Sequence, residues 1–97
     1  MTGKYILKNR EAVVEPDLLK WGRWFEKGDK RVGETMIGDV RVSTVFLGLD
    51  HNFGDGPPLL FETMVFGGEL DQEMDRCSTW AESVIMHDNM CKRVKGN

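Results

Sequence analysis

The sequence predicts an α+β domain, a mostly antiparallel sheet of about four to five strands with two helices packed on it. Three observations point there. Short β-branched and aromatic runs alternate with glycine-containing turns. Gly38-Asp39 is a two-residue hairpin turn with glycine at its first central position. Two segments of helical period stand apart from the strands, one early and one at the end. The 97 residues hold no repeat, low-complexity tract or linker, so residues 1–97 read as a single domain.

Tyr5-Ile6-Leu7 is a short first strand, Asn9-Arg10 a turn, and Ala12-Val13-Val14 a return beside the first strand. Pro16-Asp17 opens the first helix, which runs to about Lys27. Proline loses nothing at an early helical position, and Asp17 complements the positive helix end. At 100° per residue, Leu18, Trp21, Gly22 and Phe25 form the expected core stripe. Lys20, Arg23 and Lys27 lie opposite, with Trp24 at the boundary. Gly28-Asp29 stops the helix.

Arg31 to Ile37 is a strand, and Val40 to Leu49 is the strongest strand in the chain, alternating first and then apolar on both faces. Asp50 to Pro58 forms a loop longer than a tight hairpin needs. Leu59 to Phe66 is another strand, closed by Gly67-Gly68, and a short strand near Arg76-Cys77 follows an acidic connection. Thr79 with Glu82 three residues on is a capping box. Trp80, Val84, His87, Cys91 and Val94 then recur at helical spacing, Lys92, Arg93 and Lys95 load the negative helix end, and Gly96 closes it.

Thirteen basic and sixteen acidic residues give a net charge of −3. That balance argues against a protein living on the phosphate backbone of long nucleic acids. No apolar run approaches the length of a membrane span, and the start Met-Thr-Gly-Lys lacks a signal-peptide core. The chain is therefore expected to act without a membrane and in the compartment where it is made. Cys77 and Cys91 form no CxxC pair and no zinc-like spacing, so reduced thiols are expected and no metal.

The stretch IGDVRVSTVFLGLDHNFGDGPPLLFETMVFGG, from Ile37 to Gly68, resembles a family of small proteins encoded by tailed bacteriophages and prophages. The upstream PDLLKWGRWFEKGDKRV and the downstream CSTWAESVIMHDNM resemble it too, so the likeness covers nearly the whole chain. Cys77 departs from the family at a position where an aromatic is common, and Gly22 and Gly28 depart from a helix usually richer in alanine. The resemblance implies phage origin and a host (bacterial) cytoplasm, not a mechanism. Small phage proteins of this kind are often inhibitors or sponges of host defence, some capturing cyclic nucleotide signals as homo-oligomers; that step is analogy between classes.

Four groups of residues can carry chemistry. Asp50, His51, Asn52 and Phe53 concentrate a carboxylate, an imidazole, an amide and a ring in one loop. Those groups can read the edge of a base and stack on its face, or they can simply build a turn anchored by Phe53. Glu62 interrupts an apolar strand on the face expected to hold Leu60, Met64 and Phe66. It marks either a pocket or a salt bridge to Arg41 or Arg31. His87 sits at the centre of the last helix's apolar stripe, as a core histidine or as a ligand. Lys20, Arg23 and Lys27 beside Trp24 suit a phosphate-bearing ligand or an acidic partner, or form a solvated face.

No phosphate-cradling loop and no nucleophile elbow is present. The expectation is a non-enzymatic, homo-oligomeric binding protein without cofactor or catalytic residues. Its sharpest form is a sponge for a cyclic nucleotide held between subunits. The alternatives are an inhibitor of a host protein and a small hydrolase built from His51 or His87 with Glu62 or Asp50.

Overall fold

A computed structural model describes residues 3–96. Asn9 and Arg10 both take left-handed φ values, 51° and 67°, as a type I′ turn requires at its two central positions. The turn folds β1 (Tyr5–Lys8) antiparallel onto β2 (Glu11–Val14) as a separate two-stranded sheet. Two backbone bonds tie the hairpin to the segment after the fourth strand: Tyr5 N–H donates to Gly48 O (2.8 Å) and Asp50 N–H to Gly3 O (3.1 Å).

The first helix, α1, runs Leu18–Lys27. It begins one residue after Asp17, because the Asp17 carboxylate caps it from outside, accepting from the amides of Leu19 and Lys20. The expected core stripe needs correction. Leu18 is 61% exposed, and no residue of α1 is fully buried. The helix is held by rings instead: Trp21 Nε1 donates to Tyr5 O and Gly48 O at 3.1 Å each, and Trp21 stacks on Phe25. Gly48 has φ 76°, and a Cβ there would stand 2.8 Å from the Phe25 ring, so this approach needs glycine. At the other end Lys30 Nζ donates to the carbonyls of Phe25 and Gly28, supplying a cation where the helix dipole is negative.

The remaining strands form one antiparallel sheet in chain order: β3 (Arg31–Ile37), β4 (Val40–Phe46), β5 (Phe61–Phe66) and β6 (Met74–Cys77). Thus four strands form the main sheet and two stand apart. β4 ends at Phe46 rather than Leu49, since the chain leaves the ladder to meet the hairpin. Its period-2 pattern sorts the faces. Val42, Thr44 and Phe46 pair in register with Val65, Thr63 and Phe61, and all six are buried.

The last helix, α2 (Trp80–Gly96), covers that buried face. Its capping box forms as expected: Glu82 accepts from the Thr79 amide, and Thr79 Oγ1 accepts from the Glu82 amide. The buried stripe is turned from the expected one. Ser83, Met86, His87, Met90 and Cys91 face the sheet, while Val84 is 43% exposed. The small Ser83, bonded to Trp80 O, lets the helix lie close to the strands.

Two clusters make the core. Val42, Val65, Met90 and Cys91 form an aliphatic one, with Ile37, Val40, Leu70 and Val94 around it. Phe46, Leu60, Phe61 and Met86 form an aromatic one, packed by Tyr5, Leu7, Ala12, Trp24 and Trp80. Leu60 therefore lies in the core and not on the face of Glu62. The opposite sheet face carries Met36, Met64, Phe66 and Met74, with nothing packed over it among the described residues.

Candidate functional site

The residues singled out from the sequence are dispersed, and most are already engaged. In the 50–58 loop, Asp50 Oδ1 accepts from Asn52 N–H (2.7 Å) and Leu59 N–H (3.0 Å). Asn52 Oδ1 accepts from Gly54 N–H, and its Nδ2 donates to the carbonyls of Asp55 and Pro57. His51 Nδ1 donates to Leu49 O at 2.9 Å. These side chains build the loop they sit in, which is the turn-forming use of Asx residues. Phe53 is 86% exposed and anchors nothing, correcting the expectation that it tucks under the loop.

Glu62 pairs with Arg76 on β6, Nη2 to Oε2 at 2.9 Å, and not with Arg41 or Arg31. Arg41 takes Glu34 instead (2.9 Å) and lies 4.3 Å over the Phe66 ring. His87 belongs to the other face. Thr44 Oγ1 lies 2.7 Å from its Nδ1, Thr35 Oγ1 lies 2.8 Å from its Nε2, and Thr44 bonds onward to Thr63. A neutral imidazole donates at one nitrogen and accepts at the other, and a hydroxyl can meet either. Burial pushes the His87 pKa down, partly opposed by Asp88, so the ring is held neutral. Gly33 makes room for it: a Cβ there would lie 3.4 Å from the imidazole.

Glu62 and His87 thus occupy opposite faces of the sheet and do not meet. Among the described residues no group of three or more possible ligands could hold a metal ion. Cys77 and Cys91 are free thiols. The Cys77 pKa is pushed up to about 11, by burial first and by the Glu82 carboxylate second, which makes it a poor nucleophile. Lys20, Arg23 and Lys27 are exposed on α1 and lie outside the clefts described below; Trp24, set edge-on to Phe46, lines one of them.

Two adjoining clefts lie at the aromatic end of the core. The first, about 690 Å³, opens between the hairpin (Tyr5, Asn9, Arg10, Glu11, Ala12), the segment Pro57, Pro58 and Leu60, and the start of α2 (Ser78 to Ala81). A second, about 450 Å³, is lined by Leu7, Trp24, Asp29, Arg31 and Val32. Both share Asn9, Arg10 and Trp80. The Arg10 guanidinium lies 5.3 Å from the Trp80 ring centroid, forming the ridge between them.

Three arginines, Arg41, Arg76 and Arg93, pair with glutamates. Among the described residues, the guanidinium groups of Arg10 and Arg31, the two that line the clefts, make no hydrogen bond or ion pair. An open cation on an indole at the mouth of an apolar cleft is a place for an anion. Sequence reasoning missed Tyr5, Arg10, Arg31, Pro57, Pro58 and Trp80 as site residues. The one local signal was Arg10 itself, in a turn position where glycine is ordinary.

The fold and clefts define a small α+β domain with two adjoining, aromatic-walled surface clefts. No protein-family model, curated protein or solved structure matches the chain. No described helix is long and apolar enough to cross a membrane.

Proposed function

We propose that the chain is a non-enzymatic binding protein that captures a small nucleotide-type anion at the Arg10–Trp80 cleft. One observation carries this reading: an unpaired guanidinium is held over an indole at the mouth of an apolar cleft of about 690 Å³. Planar bases favour aromatic walls, and phosphates favour arginine. The volume lies in the range usual for small-molecule sites. The backbone supports it too. A left-handed φ costs a non-glycine residue roughly 1–2 kcal/mol, and Arg10 occupies that conformation at 67°. Strain of this kind gathers at functional positions.

Joined to the likeness to phage and prophage proteins, this site favours the sponge reading: an accessory protein that sequesters a cyclic nucleotide defence signal in the bacterial cytoplasm. The ligand then sits within one protomer rather than between subunits. Self-association has its own surface in the open sheet face of Met36, Met64, Phe66 and Met74. The same face favours the second reading, an inhibitor docking on a host protein.

Native mass spectrometry of the full chain, alone and with a panel of cyclic di- and trinucleotides, tests the proposal. The expected result is an unaltered nucleotide retained at one per protomer. Arg10→Gly relieves the backbone strain and removes the guanidinium. It should not destabilise the fold, because the strain relieved offsets the lost ring contact and the greater chain freedom of glycine, and it should weaken binding at least roughly tenfold. Retention of no nucleotide rejects the sponge and moves the weight to a protein partner. Release of an altered nucleotide makes the protein an enzyme.

A further inference from the structure

We infer that the two clefts are one bipartite site whose ligand carries two planar groups joined by an anionic linker, the chemistry of a dinucleotide with amino-bearing bases. The inference rests on the anion reading of the Arg10–Trp80 cleft and adds the shape and edge chemistry of what binds there.

The clefts are contiguous. They share Asn9, Arg10 and Trp80, and at about 690 and 450 Å³ each is large enough for a ligand group of its own. Their walls repeat a theme. The first lobe has an aromatic wall in Tyr5 and one carboxylate, Glu11. The second has an aromatic wall in Trp24 and one carboxylate, Asp29. Arg10 stands on the ridge between them over Trp80, and Arg31 adds a second open cation on the Trp24 side.

A bare phosphate meets the arginines but also two acids, so the site is a poor trap for inorganic anions. A mononucleotide fills one lobe and leaves the other lobe's ring and carboxylate unused. A ligand with a base in each lobe places its phosphate linkage at Arg10, where the only shared cation stands. Each carboxylate is then positioned to accept from a base's exocyclic amine, as acidic side chains do when they read cytosine. Asp29 Oδ1 already accepts from Arg31 N–H at 3.0 Å, which fixes the carboxylate and leaves Oδ2 for the ligand. Uracil and thymine lack that amine and gain nothing from it.

Isothermal titration of the full chain with inorganic phosphate, adenosine monophosphate, linear diadenylate and linear diuridylate tests the inference. Diadenylate is expected to bind roughly 100-fold tighter than the mononucleotide, because the second base binds at high effective concentration. It should exceed diuridylate by about tenfold, with phosphate alone giving no measurable heat. Arg31→Gln and Asp29→Asn, both exposed at the second lobe, should bring diadenylate toward the mononucleotide's affinity and weaken the mononucleotide by a smaller factor, since the first lobe still takes it. Equal affinity for diadenylate and the mononucleotide overturns the bipartite site, as does a diadenylate affinity unchanged by Arg31→Gln and Asp29→Asn. Equal affinity for diadenylate and diuridylate overturns the role of the carboxylates. If none of the four binds, it is the anion reading of the Arg10–Trp80 cleft that fails, and this inference with it.

Discussion

The two ends of the layer between α2 and the sheet differ in side-chain chemistry, and their openness differs with it. At one end Val42, Val65, Met90 and Cys91 close on Ile37, Val40, Leu70 and Val94, leaving beside them a cleft of only about 200 Å³. At the other, Phe46 and Phe61 pack tilted at 5.3 Å, with Trp24 and Trp80 edge-on to them, and the clefts of about 690 and 450 Å³ open alongside. Branched and flexible aliphatic chains interdigitate between the helix and the sheet. Rings meeting edge-to-face fix angles between themselves, and the short hairpin and α1 cannot fill the corners that those angles leave. The buried His87, hydrogen-bonded to Thr44 and Thr35, stands between the two clusters along α2. Both ends are core, but one closes fully and the other leaves clefts beside it.

Three substitutions or conditions sharpen this contrast. The largest effect is expected from Phe61→Ala, whose ring is fully buried where the rings meet. A loss of about 3–5 kcal/mol should appear in chemical denaturation. A loss under about 1 kcal/mol would mean that the aromatic end is not core at all.

A middling effect should come from acid. His87 is held neutral by burial, with a pKa below its ordinary 6.5, so the unfolded chain binds the extra proton first. Stability is therefore full above pH 6.5 and declines as the pH falls below it toward the folded-state value. Thermal melts between pH 7.5 and 5 on the wild type and His87→Gln check this, using roughly the window in which histidine titrates. The wild type should lose melting temperature over that range and the variant should lose less. Parallel slopes would remove His87 as the cause. The smallest effect is expected at α1, where Leu19 is 72% exposed. Leu19→Ser should change stability by no more than about 0.5 kcal/mol, and a larger loss would show that another surface covers this helix.

Much of the fold was legible because it is local. Alternation in Val40 to Phe46, the glycine turn at Gly38-Asp39 and the Thr79–Glu82 capping box each act within a few residues, and all appear as read. Errors began where the choice depended on what lay opposite. Val84 and Ser83 are adjacent, about 100° apart around the helix, and periodicity alone did not decide which one faces inward. The sheet decided it, because His87 reaches its two threonines only with Ser83 turned toward the strands. Glu62 drew attention as an acid in an apolar strand, but its partner Arg76 became visible only with the β5–β6 register. The chemistry-rich loop at Asp50 to Phe53 read as a site because its residue types are those of sites. Its hydrogen bonds go inward to its own backbone.

The sequence by itself determined the α+β class, the element order, the antiparallel hairpins and the capped last helix. Those follow from period, turn chemistry and caps, which are short-range. Tertiary structure alone decided the site. Arg10, Trp80, Trp24, Arg31 and the Pro57-Pro58 segment come from five separate stretches of chain. They share one place only because the hairpin, α1 and the start of α2 all pack on the same aromatic end of the core, a long-range outcome with no spacing for a sequence to display.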